Sequence, residues 1–251
     1  MPTFVHGKSA GVLLNQYDLS AYFNNVDTTS TLETAETTGF GSSAKSYIPG
    51  LTDATISLSG MFATDASGSD AVLATILGSA TTPILTIPFE TGTIGKKAIV
   101  AKAHETSYST SNPVGDIVSV SADFNASTDA TTNLTYGLRS GVVLTAGASI
   151  AYGSLGALAS VDNTASSANG GVSNLHVTAN SISGGTTTIK VQHSTDNSTW
   201  ADLITFTAVA ASTLASQQSA VASTVNRYLR VNASTAGSSG AITFHVSFAR
   251  F

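Results

Sequence analysis

Apolar and polar residues alternate along much of the chain with the period of two that is typical of half-buried β-strands. The clearest runs cover residues 53–62, 116–125 and 241–248, where Ala, Ile, Leu, Val and Phe alternate with Ser, Thr, Asp and His. Antiparallel sheets with one buried and one solvated face show this alternation. The pattern therefore predicts a mainly β chain of antiparallel strands.

One segment departs from this alternation and has the spacing of a helix. Residues 65–78 read DASGSDAVLATILG, with four apolar side chains grouped on one helical face. Ser69 or Asp70 is expected to cap the first free amides, and Gly78 suits a left-handed C-terminal cap. We predict one short helix, at about residues 68–78, packed on a β-sandwich.

The composition changes between residues 140 and 172. Residues 140–161 carry no charge, but repeated Gly, Ser and Thr make a connector a better interpretation than a membrane span. Turn-forming residues fill 162–171, and short strands separated by Gly, Asn and Ser follow them. The sequence thus predicts a domain at 1–145, a linker at 146–171 and a small β-sandwich domain at 172–251.

A polar, Thr-rich segment at about residues 27–50 fits neither predicted core. Because Thr favours extended chain and the Gly residues permit a reversal, a long hairpin arm is expected here. Its isolated apolar residues, Leu32, Phe40, Tyr47 and Ile48, would be exposed to solvent in a monomer. Arms with such spaced anchors are typical of segments that dock on a neighbouring molecule.

Composition and charge narrow the possible functions. The chain has no Cys, which excludes disulfide frameworks, thiol catalysis and cysteine-ligated metal sites. Ser and Thr make up about 29% of the residues, far above the usual fraction. The net charge is −5, and residues 1–140 hold six basic and twelve acidic side chains. Neither half offers the basic surface that tight binding to a phosphate backbone requires.

The candidate catalytic, metal and cofactor motifs have simpler explanations. Residues 39–44 match a dinucleotide-binding pattern, but no βαβ unit surrounds them. The five His residues lack metal-type spacing, and no nucleophile, base and orienting residue come together. We therefore expect no catalytic site, no metal and no cofactor. A glycan hydrolase would need a carboxylate pair, for which the C-terminal part offers only Asp162, Asp196 and Asp202.

A second function remains open for the C-terminal part. Trp200 follows a turn and begins an apolar strand, so it is either a core anchor or a surface ring that stacks on a sugar. Arg227, Tyr228 and Arg230 form either a polar strand face or half of such a ligand patch. The alternative interpretation is a carbohydrate-binding or cell-surface-binding β-sandwich module.

Residues 17–62 resemble the N-terminal part of major tail tube proteins of long-tailed bacteriophages. The similarity lies in D-L-S before a strand, then E-x-x-E-T-T-x-F-G in the arm, then Y-I-x-G-L-x-D-A-T-I-S-L-x-G. The helix and the strands up to about residue 144 follow in the same order. The later segments VQHSTDNSTWADLITFT, VNRYLRV and FHVSFAR resemble the β-sandwich decoration found on such tubes in phages of actinobacteria.

This resemblance implies a structural virion protein and not an enzyme. Its tube domain would be a β-sandwich or partial barrel, six copies would form a ring around a continuous inner β-barrel, and rings would stack around a tape-measure protein. Tail terminator and tail-tip proteins would be further partners, and the chain would lie in the virion tail tube without inserting into a membrane. The arm would reach an adjacent ring through Leu32, Glu33, Glu36, Phe40, Tyr47 and Ile48.

The charge of the chain fits such a tube. An acidic, weakly basic wall would repel DNA phosphates, so that DNA passes through the lumen without specific binding. Some acidic residues of the first domain are then expected to face the lumen, from the set Asp53, Asp65, Asp70, Asp116, Asp123 and Asp129. The domain after about residue 171 should project outward, because a bulky insert would block the channel.

Overall fold

A computed structural model describes residues 4–127 and 137–251 of the chain. Its strands, in chain order, are β1 (Leu13–Leu14), β2 (Tyr17–Asp18), β3 (Phe23–Glu36), β4 (Tyr47–Met61), β5 (Ile84–Pro88), β6 (Lys97–Ser111), β7 (Ser119–Ala126), β8 (Arg139–Val143), β9 (Ser149–Ala151), β10 (Val161–Asp162), β11 (Gly171–Asn180), β12 (Thr186–Ser194), β13 (Ala201–Thr205), β14 (Val209–Ala210), β15 (Ala215–Val221), β16 (Tyr228–Thr235) and β17 (Ala241–Arg250). One α-helix, α1 (Ser69–Ile76), and three short 3-10 turns complete the described part. The prediction of a mainly antiparallel β chain with one short helix is confirmed.

The strands form three sheets, two of which share β6. The central sheet has the order β15-β11-β17-β8-β6-β5-β1-β2, and β9 pairs with the far end of β17. The hairpin sheet has the order β3-β4-β7-β6, and the outer sheet the order β10-β16-β12-β13, with β14 beside β12. The first half of β6 pairs with β5 and β8, and its second half, from Ala103 to Ser111, pairs with β7. The strand β6 therefore connects the hairpin sheet to the central sheet.

Two large apolar cores lie between these layers, and a small third cluster joins Val100 of the N-terminal half to Val172 and Ala249 of the C-terminal half. The first contains Leu19, Leu58, Leu73, Ile87 and Phe124, and packs the hairpin sheet against α1, β1 and β5. The second packs the outer sheet against β11 and β17, and its members include buried Val, Leu, Ile and Phe of residues 144–248. The N-terminal and C-terminal halves of the chain thus have a core each.

The helix forms where it is predicted, but its first turn is held differently. The N-cap is Gly68, which has no side-chain capping bond. Ser69 instead accepts from the Ala63 amide (3.0 Å) and donates to the Met61 carbonyl (2.7 Å), because β4 has just ended there and leaves these groups without strand partners. Gly78 has the expected left-handed conformation, with φ of 75°.

The described strands continue across the predicted boundary between domains. Residues 146–171, predicted as a linker, include β9 and β10, which pair with β17 and β16. The strand β17 also pairs with β8, where a side chain on Gly141 would approach the Phe248 carbonyl oxygen to 2.4 Å. Glycine is therefore needed at this joint. The division into two domains remains a prediction, and the central sheet runs through both halves. Within the described residues, no helix is long and apolar enough to span a membrane.

Candidate assembly surface

The hairpin sheet has one apolar face, directed into the first core, and one polar face. The polar face follows from alternation in four neighbouring strands, which places short hydroxyl, amide and carboxylate side chains side by side. One row across the sheet is Asp27, Ser57, Asp123 and Ser107, each opposite the next. The other members are Asn25, Thr29, Thr55, Ser59, Ser109, Ser119, Ser121 and Asn125.

Hydrogen bonds fix the carboxylates of this face. Asp123 accepts from the hydroxyl groups of Ser57 (2.6 Å) and Ser107 (2.7 Å), which lie on the two flanking strands. These bonds stabilise the charged form and hold the pKa of Asp123 below its usual value. Asp27 accepts from the Asn25 amide at 2.8 Å. Asp123 therefore keeps its negative charge at neutral pH.

The segments that build the polar face contain no Lys or Arg. Their side chains include several carboxylates, and His104 is the single histidine among them. The segments are residues 25–31, 53–61, 103–111 and 119–126. Of the acidic residues predicted to face a lumen, Asp123 lies on this face, whereas Asp70 lies on α1 at the opposite face and accepts from the Tyr108 hydroxyl. Asp27 was missed by the sequence reasoning, and Asp129 lies outside the described residues.

Both edges of the hairpin sheet are open over long stretches. Within the described chain, β3 pairs with β4 alone, and the second half of β6 pairs with β7 alone. The strand directions alternate across the sheet, because every pairing in it is antiparallel. A β6 edge brought beside a β3 edge of another copy would continue that alternation. Long open edges of this kind are templates for pairing between chains.

The strands β3 and β4 extend beyond the four-stranded part as a two-stranded arm, residues 31–53. Their pairing runs to Glu36 opposite Tyr47. A salt bridge from Lys45 to Glu36 (3.0 Å) and a hydrogen bond from Thr37 to Ser46 (3.0 Å) close the tip. Projecting strands of this length reach about 20 Å past the rest of the sheet.

The arm exposes large apolar side chains. Phe40 at its tip is fully exposed, and Leu32, Tyr47 and Ile48 are each about half exposed. Leu51, which the sequence reasoning missed, is 77% exposed. Glu33 and Glu36 are exposed between these anchors, with Glu33 at a register shift of β3. Side chains of this size are normally buried, so the arm has the character of a contact surface.

A second exposed apolar group lies at the opposite end of the same sheet. The turn between β6 and β7 carries Val114, which is fully exposed, and Ile117, which is 59% exposed. Met61, at the end of β4, is opposite Ser119 at the start of β7 and is partly exposed. The alternation predicts a strand from residue 116, but β7 begins only at Ser119, so Ile117 belongs to the turn.

A buried acid lies on the apolar face of the hairpin sheet, near the open edge. Glu105 of β6 is 6% exposed, and neither carboxylate oxygen has a hydrogen-bond partner. Burial raises its pKa to about 8, so the side chain is largely neutral at pH 7. Tyr108 of the same strand has a pKa raised to about 12 by burial and by its bond to Asp70.

A buried polar chain joins the two halves of the molecule. Asn174 of β11 donates to the Leu85 carbonyl (3.0 Å) and the Thr86 hydroxyl (3.1 Å), both on β5. His176 lies 2.5 Å from the Asn15 carbonyl through Nδ1 and 2.8 Å from the Thr86 hydroxyl through Nε2. A carbonyl only accepts, so Nδ1 carries the proton and Nε2 accepts from Thr86. Burial lowers the pKa of His176 to about 4, which keeps the ring neutral.

The residues of the predicted ligand patch come together on the solvent face of the outer sheet. The Arg230 guanidinium stacks over the Trp200 ring at 4.2 Å and donates to Gln192 at 2.9 Å. Arg227 stacks over Tyr228 at 4.9 Å and makes a two-bond ion pair with Asp162, at 2.7 and 2.6 Å. The four predicted residues thus form two stacked Arg–aromatic pairs.

The three C-terminal carboxylates from which a glycan hydrolase would draw its pair each accept hydrogen bonds from neighbouring groups. Asp162 is bound by Arg227, which lowers its pKa to about 2. Asp202 accepts from Gln192 (2.7 Å) and Lys190 (2.6 Å). Asp196 accepts from the Thr199 and Ser198 amides, which hold its pKa far below the usual value. These bonds stabilise the ionised forms, which is the opposite of what a general acid requires.

The chain matches no known protein-family model and no curated protein. It is similar in structure to a chain from the virion of a native gene transfer agent, with 17% identity, 49% of this chain and 93% of that chain covered, and a TM-score of 0.41. It is also similar to the SPP1 tail tube, with 10% identity, 57% of this chain and 82% of that chain covered, and a TM-score of 0.46. A third similar structure is the SPP1 Dit protein, with 12% identity, 96% of this chain and 99% of that chain covered, and a TM-score of 0.34.

Proposed function

We propose that the chain is a structural subunit of a phage-type tail tube. Copies associate side by side through the hairpin sheet to form a ring, and the rings stack into a tube in the virion tail. The observation that carries this proposal is the hairpin sheet itself, which combines two open edges with one polar face. The sequence resemblance of residues 17–62 to major tail tube proteins supports the same function.

The strand directions support ring formation. With four antiparallel strands, the two edge strands β3 and β6 run in opposite directions. Pairing between copies therefore stays antiparallel around the whole ring, and closure removes both open edges of the hairpin sheet. The number of subunits is expected to be six, as the resemblance implies.

The chemistry of the polar face supports its position on the channel wall. It presents hydroxyl groups together with Asp27 and Asp123, and the segments that form it lack Lys and Arg. Such a wall binds water and repels phosphates, so DNA passes without being held. A tape-measure protein fills this channel before ejection, and tail terminator and tail-tip proteins bound the tube at its two ends.

The experiment that tests the proposal is electron microscopy of the purified chain at rising concentration. Striated tubes or stacked rings are expected from the intact chain. A matched variant replaces residues 31–53 with an Asn-Gly turn, which joins Ser30 to Ala54, directly opposite each other in the hairpin. This variant keeps both edges of the four-stranded part, so we expect rings that no longer stack.

Analytical ultracentrifugation of the same samples separates the possible outcomes. A chain that remains a monomer at every concentration, even after addition of tail tips as seeds, contradicts a tube subunit. Tubes formed equally well by the shortened variant would leave the subunit role intact and remove the arm from assembly.

A second role is proposed for the solvent face of the outer sheet. Trp200, Tyr228, Arg227 and Arg230 share this face, and aromatic rings beside guanidinium groups suit a sugar ring with hydroxyl or acidic substituents. Binding of the full chain to a glycan array, lost in Trp200→Ala but kept in Tyr152→Ala, is the expected result. Equal binding by both variants contradicts this role.

A further inference from the structure

The two exposed apolar groups of the hairpin sheet lie at its opposite ends, and we infer that they bind each other between stacked copies. The arm of one copy docks through Phe40, Tyr47 and Ile48 on the β6–β7 turn of a second copy, at Val114 and Ile117. This inference rests on the proposed function and adds the receiving surface, which neither the sequence nor the resemblance assigns.

The positions of the two groups follow from the strand pairing. The strand β4 runs from Tyr47, near the arm tip, to Met61, which is opposite the first residue of β7. Its 15 residues extend over about 50 Å. The arm and the β6–β7 turn are therefore too far apart to cover each other within one chain.

A second copy is the partner that meets both surfaces at once. A copy displaced along the strand direction brings its arm to the turn of the first copy and leaves its own turn free for the next arm. This head-to-tail contact repeats without closing, which is the geometry that produces a filament. Any other single partner would cover the apolar group at one end of the sheet and leave the group at the other end exposed to water.

The size of the contact explains why stacking needs rings. Burial of a few aromatic and aliphatic side chains on each partner covers on the order of 600 Å², below the 1,200 Å² or so of a stable isolated pair. A ring presents several arms together, and their simultaneous binding raises the overall affinity far above that of one arm. We therefore expect single copies to remain apart at concentrations where rings stack.

Disulfide cross-linking tests this contact directly, because the chain has no Cys of its own. The double variant Phe40→Cys with Val114→Cys is assembled, oxidised and run on a denaturing gel without reductant. A ladder of covalent oligomers longer than dimers is expected. The matched control combines Phe40→Cys with Tyr152→Cys, which lies on the other half of the chain and is exposed to a similar degree as Tyr47. The control and each single variant are expected to stop at dimers.

A second pair of variants covers the case in which the cysteines disturb assembly. Val114→Asp is expected to leave rings that no longer stack, whereas Tyr152→Asp forms tubes like the intact chain. Tubes that form from the first double variant without a ladder, or from Val114→Asp at normal length, overturn the proposed contact. An intact chain that never assembles instead overturns the proposed function, so the two failures are distinguishable.

Discussion

The two halves of the molecule differ in how many large apolar side chains they expose and in how long their open strand edges are. Of the thirteen large apolar side chains exposed among the described residues, eleven precede residue 120 and only Tyr152 and Leu214 follow it. The hairpin sheet ends in long open edges, whereas the outer sheet ends in the short strands β10 and β13. The N-terminal half therefore exposes more apolar side chains, and longer open strand edges in its hairpin sheet, than the outer sheet of the C-terminal half.

The largest effect is expected when the buried hydrogen bonds that join the two halves are removed. Asn174→Ala removes the amide that donates to the Leu85 carbonyl, the Ala101 carbonyl and the Thr86 hydroxyl, and it also removes the acceptor of the Gln218 amide. The free energy of unfolding is expected to fall by about 3 kcal/mol. Calorimetry should show the two halves separating into two transitions, because their link is weakened while each core is unchanged.

Asn180→Ala is the matched control for this variant. Asn180 lies on the same strand, and its bonds to Ala210 and Thr213 stay within the C-terminal half near solvent. A loss below about 1 kcal/mol is expected, with one transition retained. Equal losses from the two variants would show that the buried chain does not join the halves.

The buried acid of the N-terminal half gives the next largest effect. The pKa of Glu105 is raised from 4.5 to about 8, so the folded state keeps a proton that the unfolded chain releases above its own lower pKa. The contribution of Glu105 to stability is therefore largest below pH 4.5 and falls as the pH rises towards 8. Glu105→Gln is expected to raise the free energy of unfolding at pH 8 by about 3 kcal/mol and to change it little at pH 4.

Urea unfolding from pH 4 to 9 measures this effect. Glu33→Gln serves as the control, because Glu33 is exposed on the arm, and its profile should follow that of the intact chain. A Glu105→Gln profile parallel to that of the intact chain would contradict the burial of a neutral acid.

The smallest effect is expected on the solvent face of the outer sheet. Arg227 and Asp162 are joined by two hydrogen bonds, but both side chains are more than 40% exposed. Water screens exposed ion pairs, so they contribute little to stability and Arg227→Ala should leave the melting temperature nearly unchanged. A double-mutant cycle with Asp162→Ala measures the coupling, and a fall in melting temperature as large as that of Asn174→Ala would show that this surface supports the fold.

The sequence predicts those features that local pattern determines. Alternation of apolar and polar residues predicts the β-strands, and the spacing of Val72, Leu73 and Ile76 predicts the helix. The Thr-rich composition predicts an extended segment where the structure has the arm. Pairing between distant strands has no such local signal. The strands β17 and β8 pair although their residues are about a hundred positions apart in the sequence. The change in composition therefore predicts two separate domains, whereas the central sheet connects them.

Two parts of the candidate site were missed for related reasons. Glu105 occupies an inward position of β6 within the polar run HETSYSTS, and no local pattern distinguishes a buried carboxylate from an exposed one there. Ile117 continues the alternation of the strand that follows it, so periodicity assigns it to β7 although it belongs to the turn. Both positions become visible only when burial is known.

The strand β6 also has a mechanical consequence. Its 15 residues form one covalent path that belongs to both the hairpin sheet and the central sheet. A pulling force on the hairpin sheet enters β6 and loads its bonds to β5 and β8 along their shared length, so that many hydrogen bonds resist in parallel instead of opening one after another. The hairpin sheet is thereby anchored in the molecule without a hinge.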